Sequence, residues 1–449
     1  MFLLTFSAFL LLFYNLVKII YNEAEHPLLQ RSHCMSTTDS KLRQEYQPGT
    51  PSLLRALNER TLLEYLRSHK PTTRAQLARA TRLSKPTVSQ ALTGLEDAGL
   101  VRAVGQSKSS RGGRIAILYE PNPDAGYVVG VDVGRGWVRA AIANLAGDII
   151  ARIDKPNDAQ SASALVALLS HLARNVVAEA GVSWSQVVHA VIGTPGVFDE
   201  PSKRVLFSSN LPEWGRHGLV TELQAAFGLS LSVENDANLS ALGERSFGWG
   251  STASTFVYIT IGTGVGMGIV INGALYRGAR GAAGEIGFLP FGLDEVLEES
   301  AKISDTWLGM FEEATSAEAI VRQAQKLGLP ASLSARQIFD AAQQGDRKAL
   351  AVVEQEGYHL ASAIAVITAV LDPELIVLGG GIGQRGELLL PPLERRLRQL
   401  TPLRPRIVAS KLGDDSVLLG SIATALEVAH HLVFQHYVNS NNGNSTIWA

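Results

Sequence analysis

The 449-residue sequence predicts an α/β body preceded by a small basic module of three helices and a hairpin. Three observations carry this. Residues 51–120 hold 12 Lys/Arg against 5 Asp/Glu, a net of +7, whereas residues 121–449 hold 24 against 33, a net of −9. In the basic stretch apolar residues recur at helical spacing. In the acidic stretch apolar, strand-like runs end repeatedly in glycine clusters.

The length implies two or three domains, and 46% apolar with 18% charged residues excludes general disorder. The formal net charge of −2 conceals the division between a basic module and an acidic body. Cys34 is the single cysteine, which excludes a disulfide framework and any zinc site built on two or more cysteines. Residues 1–50 form an extension with no net charge, and Met1 to Ile20 are apolar apart from Lys18 and a few polar residues. The stretch just reaches a bilayer span but lacks the basic start and cleavage site of a secretory signal. Two readings stay open: a membrane anchor, or a start placed too early, with Met35 opening a cytoplasmic protein. The character of everything after residue 50 favours the second.

The module spans 51–123. Leu53, Leu54, Leu57, Leu62, Leu63 and Leu66 give an amphipathic first helix that Pro71 stops. Thr73 caps a second helix, Arg74 to Arg82. Ser84 caps a third, with Pro86 in its first turn and Val88, Ala91, Leu92 and Leu95 inward. Ser84, Lys85, Thr87, Ser89 and Gln90 crowd the start of that helix, the side-chain chemistry of a major-groove reader. Two strands then flank a Gly/Ser-rich turn bearing Lys108, Arg111 and Arg114, a wing for phosphates or a narrow minor groove. The order predicts a winged helix-turn-helix, and hence DNA as a partner.

The body divides into 124–245 and 246–438, with a polar, disordered tail at 439–449. A buried-type strand ends at Asp132 and Gly134, and a hairpin follows. Gly262-Thr263-Gly264-Val265-Gly266-Met267-Gly268 joins two strands, and alternating glycines let backbone N–H groups converge on an anion. Gly379, Gly380 and Gly381 follow the apolar strand Leu375 to Leu378, where an α/β sheet meets a nucleotide. Between the first two clusters, Val233 to Asn238 runs from strand into helix and sets Asn235 and Asp236 at a strand end, good chemistry for sugar hydroxyls.

Taken together, GTPGVFD, ENDANLSALGE, GTGVGMG, NGALYRGARGAAGEIG and VLGGGI resemble the ROK family of repressors and sugar kinases over about residues 50–435. The resemblance implies the two-lobed, actin-like ATPase (ribonuclease H-like) fold, and the winged helix implies the transcription-factor branch. By position, Asp236 matches the family's catalytic base, and Asn210, Asn235, Glu285 and Glu298 its other sugar-holding residues. Asp132, Gly134, Gly262, Thr263, Gly264 and Gly266 match the face toward ATP phosphates, and Gly379 to Gly381 the adenosine.

The departures matter as much. Kinases of the family carry a threonine two residues after the first-motif glycine; here Arg135, Gly136 and Trp137 follow Gly134, which argues against efficient ATP turnover. Phe288 stands where many members have a histidine, and no cysteine occurs between 288 and 449, so zinc is not expected. The resemblance therefore implies a sugar-responsive repressor, a homodimer or dimer of dimers binding operator DNA and a sugar or sugar-phosphate effector. An ATP-dependent sugar kinase with an appended DNA-binding domain is the alternative, and whether ATP binds stays open.

Overall fold

The computed structural model describes residues 51–69, 71–107, 115–208, 211–290 and 309–441. The apolar start, Cys34, Met35, Lys108, Arg111, Arg114, Asn210, Glu298 and residues 442–449 lie outside the described residues. The chain separates into two compact units, residues 1–120 and 121–449.

In the first unit, α1 (Pro51–Ser68) buries Leu62, Leu63 and Leu66. Its one buried acid, Glu59, is held by Arg55 at 2.8 Å. Strand β1 is only Thr72–Thr73, and Thr73 then caps α2 (Arg74–Thr81) in a full capping box with Gln76. Arg82, at φ 57°, ends α2 in the left-handed region. Ser84 caps α3 (Lys85–Asp97), whose inward face is Val88, Ala91, Leu92 and Leu95. Strands β2 (Val101–Ser107) and β3 (Ala116–Pro121) form the hairpin, and β1 pairs antiparallel with β3 to make a three-stranded sheet. The sequence reading missed β1, because two threonines after a proline carry no alternation to read.

The second unit opens with β4 (Tyr127–Val133), β5 (Trp137–Asn144), β6 (Ile149–Pro156), α4 (Ala162–Glu179) and β7 (Val187–Thr194). It continues through β8 (Val197–Asp199), β9 (Arg204–Leu206), α5 (Leu219–Phe227), β10 (Leu231–Asn235) and α6 (Asp236–Phe247). The first-lobe sheet has order β10-β7-β4-β5-β6, with β10, β7 and β4 parallel and β4 to β6 a meander. Leu165, Leu169, Leu172 and Val176 of α4 recur at helical spacing and close one face of it.

The second lobe begins with β11 (Phe256–Ile261), β12 (Val265–Ile271) and β13 (Ala274–Leu275). Then come α7 (Met310–Thr315), α8 (Ala317–Lys326), α9 (Ala335–Gln343) and α10 (Arg347–Leu371). The chain closes with β14 (Leu375–Gly379), α11 (Gly380–Gly383), α12 (Gly386–Leu400), β15 (Arg406–Ala409) and α13 (Ser416–Asn441). Its sheet has order β13-β12-β11-β14-β15. Helix α13 takes in the first three residues of the tail expected to be disordered, Asn439, Ser440 and Asn441.

Helices α6 and α13 pack against one another where the lobes meet, and α13 also lies on β4 and β7. Glycines let the two backbones come close at two points. A Cβ on Gly420 would fall 1.8 Å from the Leu239 carbonyl oxygen, and one on Gly243 2.5 Å from that of Ser416. The stretch from 413 to 441 is long and apolar enough to cross a membrane, yet its buried residues, such as Leu418, Ile422 and Ala425, pack in the core.

One core residue is out of place. Glu356, in the middle of α10, is fully buried, and among the described residues neither carboxylate oxygen has a hydrogen-bond partner. Burial pushes its pKa well above the usual carboxylate range. A group with a raised folded pKa contributes stability that is present at low pH and lost as pH rises. Glu356→Met is therefore expected to stabilise the protein by about 1–3 kcal/mol at pH 8, with a smaller gain at pH 5. Chemical denaturation at the two pH values measures both.

Candidate functional site

In the first unit, α3 has one buried face and one open face. Lys85, Pro86 and Gln90 are exposed, Thr87 and Ser89 half-buried. Ser84 is exposed but spent on the cap: its Oγ accepts the Thr87 N–H at 3.3 Å and lies 2.8 Å from Thr87 Oγ1. That leaves Lys85, Ser89 and Gln90 as the groups of this helix start with no capping duty. Arg102 of β2 is paired with Glu120 of β3 at 2.9 Å.

In the second unit, the sequence candidates gather between the lobes. Asn235 ends β10 and caps α6: its Oδ1 accepts the Asn238 N–H at 3.1 Å, and its Nδ2 donates to the Gly196 carbonyl at 3.0 Å. Its amide is thus a brace that fixes the next residue, Asp236, at the first turn of α6. Asp236 Oδ1 accepts the Ala237 N–H at 2.8 Å. Burial raises its pKa to about 7, with the charges of Asp132 and Glu285 adding to the shift.

Glu285 reaches the same place from the second lobe. Gly284, at φ 97°, has its carbonyl on Met267 N–H at 3.0 Å, and a Cβ there would strike the Met267 oxygen at 1.8 Å. Only glycine makes this left-handed, pinned turn, and it presents the next side chain, Glu285. Burial raises the Glu285 pKa too. A third acid, Glu312 of α7, stands behind Gly287, where an added Cβ would lie 3.3 Å from Glu312 Oε2. Burial, then the charge of Glu285, pushes Glu312 to about 7. Sequence reasoning missed Glu312, since nothing in MFEEAT marks which glutamate turns inward.

The phosphate end differs from the expectation in three ways. Asp132 does not present a free carboxylate: Arg139 holds it at 2.8 Å, and burial outweighs that cation to raise its pKa to about 6. The pair was legible, because in the β4–β5 hairpin Asp132 lies directly opposite Arg139. Arg135 reaches across to Glu318 at the start of α8, at 3.3 Å. The glycine run is only partly a loop. Gly266 and Gly268 lie within β12, and a Cβ on Gly268 would come 2.4 Å from the Ala237 carbonyl oxygen, so these two let the strand pass close to α6. The Gly262 N–H already bonds the Gly264 carbonyl at 3.0 Å, and Thr263 is exposed.

The third cluster is mixed. A Cβ on Gly379 would strike the Tyr258 hydroxyl, and one on Gly380 the Ile261 carbonyl oxygen. Gly381 borders open space, as does Gly262, whose Cβ would meet only the Gly381 N at 4.0 Å. Gly134 turns the first hairpin by donating its N–H to the Trp137 carbonyl at 2.9 Å. Among the described residues no cluster of His, Cys, Asp and Glu is arranged to hold a metal.

Residues 128–428 match the family model described as ROK family, and residues 56–112 that of the MarR family. The chain belongs to the ROK family. A xylose repressor of Caldicellulosiruptor bescii is 28% identical over 406 residues, covering 87% of this chain and all of that one. A glucokinase of Thermotoga maritima is 30% identical over 320 residues, 67% of this chain and 97% of the kinase. Among solved structures, a ROK family transcriptional regulator, a homologue of the Escherichia coli MLC protein, superposes with TM-score 0.70 at 24% identity. It covers 86% of this chain and 99% of that one. This ROK chain therefore has the two-lobed kinase-like fold with a winged helix in front, as its sequence implied.

Proposed function

We propose that the protein is a sugar-responsive DNA-binding repressor whose effector binds between the lobes beside Asp236. The single observation that carries this is the coexistence in one chain of a winged helix with an open, polar α3 start and an intact Asp236–Glu285 acid cluster. The repressor relatives match along 87% of the chain, module included, while the glucokinase match spans 67%. Lys85, Ser89 and Gln90 read bases, and the wing cations contact phosphates. Two copies engage a palindromic operator, in the cytoplasm. Asp236 and Glu285 accept sugar hydroxyls, and the ligand draws the lobes into a different arrangement from the one that favours DNA.

The residues at the phosphate end do not fit a triphosphate engaged for transfer. Asp132 is paired with Arg139, and Arg135, the residue after Gly134, is paired with Glu318. Phosphoryl transfer is accordingly no part of the proposed mechanism.

The test is sugar binding to the full chain, read as a rise in melting temperature across a panel of pentoses, hexoses and their phosphates. Asp236→Asn is expected to abolish the shift for whichever sugar gives it. Because Asp236 accepts best when ionised and has its pKa near 7, affinity is expected to rise between pH 6 and pH 8. A panel without any shift, paired with sugar-dependent ADP release, would establish the kinase reading instead.

A further inference from the structure

Phe207 combines an exposed aromatic ring with a left-handed backbone. It follows β9 directly, sits at φ 57°, and leaves 57% of its surface exposed. An aromatic residue in the left-handed region costs energy that neighbours must offset. Those neighbours are visible. A Cβ on Gly196 would lie 2.4 Å from the Leu206 carbonyl oxygen and 3.1 Å from Ser208 Cβ, so the residues on both sides of Phe207 are pressed against the Gly196 turn. The same turn gives its carbonyl to Asn235, the brace of Asp236. The backbone is held so that the ring points outward, close to the sugar cluster.

Among the described residues the ring has one aromatic partner. Phe288, from the second lobe, meets it edge to face, with centroids 5.6 Å apart and planes at 65°. Phe288 is 36% exposed, lies three residues after Glu285 in the same turn, and donates its N–H to the Glu285 carbonyl at 3.3 Å. Two exposed rings, one from each lobe, therefore stand on the turns that carry Glu285 and brace Asp236. An aromatic surface next to hydroxyl acceptors matches a carbohydrate, whose ring has an apolar C–H face and a polar rim.

We infer that Phe207 and Phe288 form a second carbohydrate subsite, so that the effector is a glycoside of at least two rings. The first ring occupies the Asp236–Glu285 cluster, and the next lies against the aromatic pair. This rests on the sugar-binding reading proposed above. It also accounts for an aromatic ring at position 288: a pair contributed by both lobes lets the second ring bridge them.

Calorimetric titration of the full chain with xylose and xylobiose, glucose and cellobiose, and glucose and maltose tests it. In at least one pair the disaccharide is expected to bind about tenfold tighter or more than its monosaccharide, the scale of a buried apolar ring face. Phe207→Ala and Phe288→Ala should each bring that disaccharide to within about threefold of the monosaccharide, leaving monosaccharide affinity within about twofold. Phe207→Tyr, which keeps the ring, should retain the preference, and Phe207→Gly, which relieves the strained backbone, should fold yet lose it. Monosaccharides binding as tightly as disaccharides in every pair, or a preference that survives both alanine variants, overturns the subsite and leaves the sugar response standing. No binding by any of these sugars overturns both.

Discussion

Gly420→Val is expected to prevent the body from folding, and Gly420→Ala to destabilise it by about 3 kcal/mol or more. The reason lies in the crossing of α6 and α13. The alanine Cβ would sit 1.8 Å from the Leu239 carbonyl oxygen, less than any tolerable carbon–oxygen contact. The obstruction is backbone, so no rotamer change relieves it. Neighbouring polar groups are committed as well: Ser416 Oγ lies 3.0 Å from Ser240 Oγ and 3.1 Å from the Tyr258 hydroxyl, joining α13 to α6 and β11. Glu244, fully buried on α6, accepts from Trp249 N–H, Ser410 Oγ and Lys411 N–H, clamping the loop that leads into α13. Moving α13 away would break these bonds. Thermal unfolding followed by circular dichroism measures the effect. An alanine variant that melts with wild-type protein would show that the crossing is looser than the structure has it.

The second large effect belongs to α3. Gln90→Ala removes an exposed amide from the proposed reading face and is expected to lower affinity for a selected operator by about 10- to 100-fold. Lys85→Glu reverses a charge beside it and should weaken binding to all DNA sequences, reducing the salt dependence of binding. Both residues are exposed and outside the α3 core of Val88, Ala91, Leu92 and Leu95, so folding is expected to be unchanged. Anisotropy titrations of operator and scrambled DNA at several salt concentrations separate the two roles. Equal loss on both DNAs for Gln90→Ala would remove it from base reading.

The winged helix was legible because its signals are local. Ser84 and Pro86 open α3, Thr73 opens α2, and the apolar spacing marks each inward face. Strand ends and glycine clusters were equally readable, as was the place of Asp236 at the start of a helix. What the sequence did not show is the use made of each glycine. Gly266, Gly268 and Gly379 look like loop or phosphate residues, yet each of them, like Gly420, marks a close approach by a segment distant in the chain. Besides Trp249, Glu244 meets partners 166 to 168 residues away, and Arg135 meets Glu318 183 residues away. Such pairings follow from tertiary packing and leave no periodic trace. Phe207 shows the same limit: nothing in RVLFSS signals a positive φ, and its partner Phe288 belongs to the other lobe.

The most direct measurement is the affinity of the full-length protein for its own selected operator, titrated by anisotropy at about 150 mM salt with and without saturating sugar. The proposed repressor mechanism predicts at least about hundredfold preference for the operator over random DNA, and at least about tenfold loss of that affinity when the sugar is present. No preference over random DNA, or an operator affinity that none of the sugars alters, would contradict it.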